Sequence, residues 1–121
     1  MAVDRDALQK QTKQFVLRVF KMAPNLPKNA AGKTVANPIV HRASSIGANY
    51  RAACRARSKA DFISKITVVL EEAEESFYWL ELIIEDEMLE MDRVKPLQQG
   101  ANEITAIVAA LRATALKNHQ S

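Results

Sequence analysis

The chain has 121 residues, enough for one domain with a single buried core, and its 48% hydrophobic and 26% charged residues are ordinary for a globular protein. Because Cys54 is the only cysteine, an internal disulfide is excluded, and the polar first ten residues lack the apolar segment of a secretion signal. No apolar run has the length of a membrane span. We therefore expect one cytoplasmic domain over residues 1–121.

Charge is distributed unevenly along the chain. Residues 1–60 carry 12 Lys and Arg against 2 acids, whereas residues 61–121 carry 5 Lys and Arg against 12 acids. The two halves can therefore attract each other, within one subunit or between subunits. The basic half can also bind nucleic acid. Self-complementarity is the favoured interpretation, and nucleic-acid binding is the alternative.

Hydrophobic periodicity predicts four helices, at about residues 4–23, 33–57, 59–88 and 92–117. In the first helix, apolar positions recur at steps of four and three, with Phe20 alongside this stripe. A loop over about residues 24–32 follows, because two prolines and a glycine interrupt the helical pattern there. The positions of the stripe are Leu8, Thr12, Phe15, Val19 and Met22.

The start of the second helix is ambiguous at Pro38. Proline lacks the backbone N–H and disfavours helical geometry at the preceding residue, Asn37. The helix therefore either begins near Asn37 or begins near residue 33 with a kink in its first turns. Both alternatives remain open from the sequence.

The third and fourth helices have recognisable beginnings. Ser58 followed by Asp61 is typical of a helix N-cap, and Asp92 is a suitable cap before Pro96 in a first helical turn. Short connections between long amphipathic helices favour antiparallel neighbours. The sequence thus predicts an all-α fold, an up-down-up-down antiparallel four-helix bundle.

The third helix has more apolar surface than one core requires. At about 100° per residue, its core stripe is centred near Ala73 and Leu80. A second, flanking side carries an apolar set that is suited to a subunit interface with Trp79 as its anchor. We predict that this oligomer interface comprises Val68, Glu75, Trp79 and Leu82.

The carboxylates of this helix do not match a di-metal enzyme site. Such sites in bundles use Glu-x-x-His on two helices, and neither His41 nor His119 stands three residues after a glutamate. We expect no catalytic residue, metal or cofactor, and therefore no enzyme. We expect Glu72 and Glu75 to accept hydrogen bonds from donors on a neighbouring helix. A solvated Glu75 is an open alternative. The predicted buried polar pairing is Ser45, Asn49 and Glu72, with Arg42 as a further candidate donor.

Basic residues gather at the end of the second helix. Cations there are favoured by the helix dipole, which accounts for them structurally. They can also bind phosphates, with strongly salt-dependent affinity and little sequence preference. The candidate nucleic-acid contacts are Arg51, Arg55, Arg57 and Lys59, with Lys10, Lys13 and Lys21 of the first helix as additional candidates.

Three segments resemble a known family of bacterial four-helix bundle proteins. These are Arg42-Ala-Ser-Ser-Ile-Gly-Ala-Asn-Tyr-Arg-Ala-Ala53, Ser58-Lys-Ala-Asp-Phe-Ile-Ser-Lys65 and Glu72-Ala-Glu-Glu-Ser-Phe-Tyr-Trp-Leu80. They are similar to the proteins named for the 23S rRNA intervening sequence, also called S23 proteins. The resemblance covers roughly residues 12–115.

The resemblance implies a cytosolic all-α protein that assembles as a ring, typically a homopentamer. The family is similar in fold to the accessory variability protein of diversity-generating retroelements, which partners a reverse transcriptase and RNA. The implied partners are therefore other copies of the chain and, as an alternative, RNA or a nucleic-acid-associated protein. The family offers no catalytic residue to carry over.

Overall fold

The computed structural model describes residues 4–120, and within that range the protein has four α-helices and no strand. The helices are α1 (Arg5–Met22), α2 (Ala30–Ala53), α3 (Lys59–Glu85) and α4 (Met91–Gln120), with a 3₁₀ turn at Ala23–Asn25 after α1. The prediction of an all-α, four-helix fold is confirmed. Residues 1–3 and 121, which the predicted domain includes, lie outside the described residues.

Side-chain caps fix the beginnings of three helices. Asp4 accepts hydrogen bonds from the backbone N–H groups of Asp6 and Ala7, and Ser58 accepts one from Asp61. These bonds satisfy N–H groups that have no partner inside the helix. Asn29 caps α2 in the same way through the N–H of Gly32.

The N-terminus of α2 excludes a start near Asn37 and lies close to the other alternative, a start near residue 33. The helix begins at Ala30, and Pro38 lies inside it. The cap at Asn29 starts the helix early, and the missing N–H of Pro38 removes only one bond of the ladder. Gly32 is required nearby, because a Cβ there would lie 2.0 Å from the carbonyl oxygen of Pro27.

The helices pack in a ring, α1 on α2, α2 on α3, α3 on α4 and α4 on α1. Contacts between side chains show that neighbours run antiparallel. Thr67, early in α3, accepts a hydrogen bond from Arg112, late in α4. Thr34, early in α2, lines one groove with Glu85, late in α3. The bundle is therefore antiparallel, as the short connections predicted.

The core lies along the axis of the bundle. All five positions of the predicted α1 stripe are buried, but Phe20, which the pattern placed beside them, is 45% exposed. Phe20 therefore lies outside the core, at the surface of α1. The fully buried aliphatic side chains are Val19, Ile39, Ile46, Ile66, Val69, Leu80, Ile83, Val94, Ile104 and Val108.

Candidate functional site

The predicted interface on α3 forms a continuous flank beside the core. We call Val68, Glu75, Trp79 and Leu82 the α3 flank. Its three apolar members are half-buried, and Glu75 is exposed. Tyr78 stands next to the flank, 51% exposed, with its ring packed edge-on against Trp79 at a centroid distance of 5.3 Å. The flank thus offers an aromatic pair with one ring largely in solvent.

A shallow groove extends the flank toward the start of α2. Trp79 and Leu82 form one wall together with Met88, and Thr34 and Val35 of α2 contribute to the other. Aromatic and apolar groups that remain accessible at the edge of a core are suited to contact with another protein.

Arg42 connects α2 to the acids of α3. Its Nη1 donates to both carboxylate oxygens of Glu72 at 3.2 Å, and its Nε lies 2.8 Å from Oε2 of Glu75. Glu72 is 8% exposed, so it needs a charged partner, and a planar guanidinium can serve two carboxylates at once. The same contact holds Glu75 at the edge of the α3 flank.

The structure divides the predicted polar pairing between two contacts. Asn49 donates through Nδ2 to Oγ of Ser45 at 2.8 Å and to its carbonyl at 2.9 Å, one turn apart within α2. Glu72 pairs with Arg42 instead, which the sequence offered only as a further donor. A long guanidinium reaches across the helix interface, whereas Ser45 and Asn49 satisfy each other locally.

Ser76 is the one buried side-chain hydroxyl without a hydrogen-bond partner among the described residues. It is fully buried, between the α3 positions Ala73 and Leu80 that also face the core. An unpaired buried hydroxyl lowers stability because it loses its bonds to water without replacement. Ser76 follows the helical period of the core stripe, but the period does not show that its hydroxyl lacks a partner.

A second surface, which the sequence did not predict as a unit, lies between α1 and α2. We call it the α1–α2 groove, a channel of about 730 Å³. Leu17, 49% exposed, and Phe20 give it an apolar side. From α1 it is lined by Asp6, Gln9, Lys10, Lys13, Val16, Leu17 and Phe20, and from α2 by Ser44, Gly47, Ala48, Arg51 and Arg55.

Small residues on α2 are the reason that this groove is open. Ser44, Gly47 and Ala48 project little, and a Cβ on Gly47 would lie 3.1 Å from Cγ2 of Val16. The two helix backbones are therefore close, with low walls on the α2 side. Sequence periodicity marks which residues face the core, but it does not show that small residues on one helix lie opposite exposed apolar residues on the next.

The predicted basic residues fall in different places. Arg51 and Arg55 line the α1–α2 groove and continue into a second depression with Arg57. Lys59 lies across the connection, beside a cleft that includes Arg5. The structure thus brings the two α2 arginines together with Lys10 and Lys13 of α1, and places Lys59 apart from the groove, which Lys21 does not line.

Asp61 neutralises part of the second depression. It forms an ion pair with Lys65, one turn later in α3, and accepts a hydrogen bond from the backbone N–H of Arg57 at 3.1 Å. The hydrogen bond from Lys65, and then that from Arg57, hold the pKa of Asp61 below its usual value. This acid therefore organises the turn between α2 and α3.

Tyr50 and Cys54 lie at the end of α2, where the sequence left the environment of the thiol open. Tyr50 is buried, and burial together with a hydrogen bond to Cys54 raises the pKa of its hydroxyl above the usual value. Cys54 itself is half-buried against the core. Both residues thus form part of the packing at this end of the bundle.

Residues 4–120 show neither a metal-binding cluster nor a membrane-spanning helix. No group of three or more His, Cys, Asp or Glu side chains in that range is placed to hold a metal ion. No helix within it is long and apolar enough to cross a membrane. What the described structure presents is an acidic, aromatic surface on α3 and a basic, apolar surface between α1 and α2.

This fold and these surfaces define a small helical bundle with two contrasting faces. The chain belongs to the 23S rRNA-intervening sequence protein family, whose model matches residues 6–110. The resemblance stated from the sequence is confirmed.

The structure is also similar to a crystal structure from Bacteroides thetaiotaomicron VPI-5482, that of a protein with unknown function from the S23 ribosomal protein family. The two chains are 30% identical, the match covers 87% of this chain and 97% of that one, and the TM-score is 0.80. No curated protein sequence matches this chain.

Proposed function

We propose that this protein is a non-enzymatic, cytoplasmic scaffold that assembles from identical subunits through the α3 flank. The number of subunits implied by the family resemblance is five. The observation that carries the proposal is the half-buried Trp79, packed against an exposed Tyr78, on a helix that already buries a neighbouring side in the core.

The composition of the flank supports a protein interface. Trp and Tyr are enriched among the residues that dominate binding energy, since they bury much area with few rotatable bonds. Val68 and Leu82 add apolar surface on both sides of Trp79. The pair between Arg42 and Glu75 places a fixed charge at the edge, where interfaces are usually polar.

The test is the substitution Trp79→Asp, with Met91→Asp as the matched control. Met91 is also exposed, at 53%, but it lines neither the groove beside Trp79 nor the α1–α2 groove. Light scattering coupled to size-exclusion chromatography gives the assembly size, and circular dichroism gives the helix content. We expect Trp79→Asp to reduce the assembly size at unchanged helix content, and Met91→Asp to leave both unchanged. A Trp79→Asp variant with the full wild-type size would remove the α3 flank as the interface.

A second candidate function, RNA binding, is favoured by the charges of the α1–α2 groove. Four cations from two helices, Lys10, Lys13, Arg51 and Arg55, line it with a single acid, Asp6. A ring of subunits would multiply a weak site of this kind. If four phosphates of a single strand are contacted, affinity for RNA should fall on the order of 50-fold between 50 and 200 mM salt. Fluorescence anisotropy measures this, and an affinity that does not change with salt would contradict it.

A further inference from the structure

We propose that the α1–α2 groove receives the acidic face of α3 from a second copy of this chain, so that subunits join head to tail. By the acidic face we mean Glu71, Glu74, Glu75 and Tyr78, all exposed. The inference rests on the proposed function, because it assumes that the protein is a homo-oligomer. It specifies which surface of one subunit contacts the α3 helix of the next.

The groove has the shape and the apolar content to hold a helix. Two helices form its sides, and the small α2 residues Gly47 and Ala48 keep one side low. Leu17 and Phe20, one turn apart, present about half of their surface to solvent. Helices commonly bind proteins by laying one face into such a groove. The exposed ring of Tyr78 supplies an aromatic group for this apolar side.

The charges of the two surfaces are opposite. Lys10 and Lys13 lie on the α1 side of the groove, and Arg51 and Arg55 lie on the α2 side. Glu71, Glu74 and Glu75 lie within one turn of Tyr78 or two turns before it. All four residues therefore project from one side of α3. Complementary charges of this kind determine which partner binds, and in which register, more than they increase the affinity.

The two surfaces cannot meet within one subunit. The α1–α2 groove contains no described α3 residue, and α3 packs between α2 and α4 with its acidic face in solvent. A contact between two different patches on identical chains is heterologous, and repetition of such a contact closes a ring when the rotation allows it. An RNA strand in the groove would leave the acidic, aromatic face of α3 without a partner.

A charge exchange tests the inference. The groove variant is Lys10→Glu with Lys13→Glu, and the face variant is Glu71→Lys with Glu74→Lys, which leaves the pair of Arg42 with Glu75 in place. The control is Arg93→Glu with Lys95→Glu, because both residues are exposed in the first turns of α4, where acids suit the helix dipole. A fourth variant carries the groove and face substitutions together.

Sedimentation velocity at low salt follows the concentration at which each variant assembles. We expect that concentration to rise at least about tenfold for the groove variant and for the face variant, and to stay near the wild-type value for the control. The variant with both exchanges should return toward the wild-type value, since attraction is restored with reversed signs. Only contact between the two surfaces predicts this rescue.

Three results would overturn the inference, and they have different meanings. A monomeric wild-type protein would remove the proposed function together with the inference. An oligomer whose size is unaffected by the groove variant would remove the inference and leave the α3 flank to be tested by Trp79→Asp. Loss of bound RNA in the groove variant, without loss of assembly, would assign the groove to RNA instead. Circular dichroism of each variant shows that the fold is intact.

Discussion

Helices α1 and α3 are both amphipathic, but they place their apolar residues differently. α3 packs on two neighbours, buries a full stripe, and shows mainly acids and Tyr78 to solvent. α1 packs less extensively, and it leaves Leu17 and Phe20 about half exposed among basic residues. The uncovered apolar surface of α1 therefore lies among positive charges, whereas the outer face of α3 is negatively charged.

The comparison indicates that apolar residues buried in the core and apolar residues left exposed have separate roles. The α3 stripe is set by the requirement to fill the centre of the bundle. The exposed pair on α1 leaves about half of its surface uncovered in the described subunit, so a further contribution is expected on assembly. Substitutions in α3 and α1, and at buried and exposed positions, should therefore have different effects.

Removing a large side chain should have the largest effect, and only in α3. Leu80 is fully buried, so Leu80→Ala should lower the free energy of unfolding by about 2–5 kcal/mol. Leu17→Ala removes the same atoms from the exposed side of α1 and should change the unfolding of the dissociated subunit by about 0.5 kcal/mol or less. Urea unfolding at low protein concentration measures both. Similar losses for the two variants would contradict the assignment of Leu17 to an outer surface.

Loss of Arg42 should have the next largest effect. Arg42→Met leaves the buried carboxylate of Glu72 without its partner, and we expect a loss of about 1–3 kcal/mol. Glu72→Gln keeps the shape and should cost less. Arg18→Met on α1 is the control, since Arg18 is exposed. An unchanged denaturation midpoint for Arg42→Met would show that the ion pair contributes nothing to stability.

Ser76→Ala should stabilise the protein, by about 1 kcal/mol. The substitution removes a buried hydroxyl that has no partner among the described residues, and alanine is also the better helix former. Ser64→Ala, on the exposed side of the same helix, isolates the contribution of helix propensity. Thermal unfolding of the two variants gives the difference. A destabilised Ser76→Ala variant would indicate that the hydroxyl has a partner in solution.

The smallest effect should come from Asp61 and should depend on pH. Because the folded state lowers the pKa of Asp61, its contribution to stability is complete above the unfolded pKa of about 4 and is lost as pH falls through the lower, folded value. Asp61→Asn should therefore reduce stability at pH 7 and make the decline below pH 4 less steep than in wild type. Parallel stability profiles for the two proteins across acid pH would contradict this.

Much of the fold could be predicted from local sequence signals. The cap at Ser58 and the steps of three and four in the buried stripes are local, so they can be predicted without tertiary contacts. The start of α2 could not, since the pattern does not show whether a capped turn at Asn29 will outweigh the break expected at Pro38.

The candidate site was less accessible to sequence reasoning, because it depends on contacts between helices. The partner of Glu72 was ambiguous, since the register between α2 and α3 decides whether Arg42 or Ser45 reaches it. The α1–α2 groove was missed, because it requires Gly47, which has no side chain, to lie against Val16 while Phe20 stays exposed. Periodicity predicted that the helices exist but not how they align with each other.

Native mass spectrometry of the wild-type protein, purified gently at low salt, shows directly whether the protein is a homo-oligomer. The account predicts a discrete assembly whose mass is a multiple of the 13.5 kDa chain, five copies being expected, with no additional mass. An assembly carrying RNA-sized mass that is lost on addition of salt would favour the second candidate function. A single species of 13.5 kDa at every concentration would contradict the account.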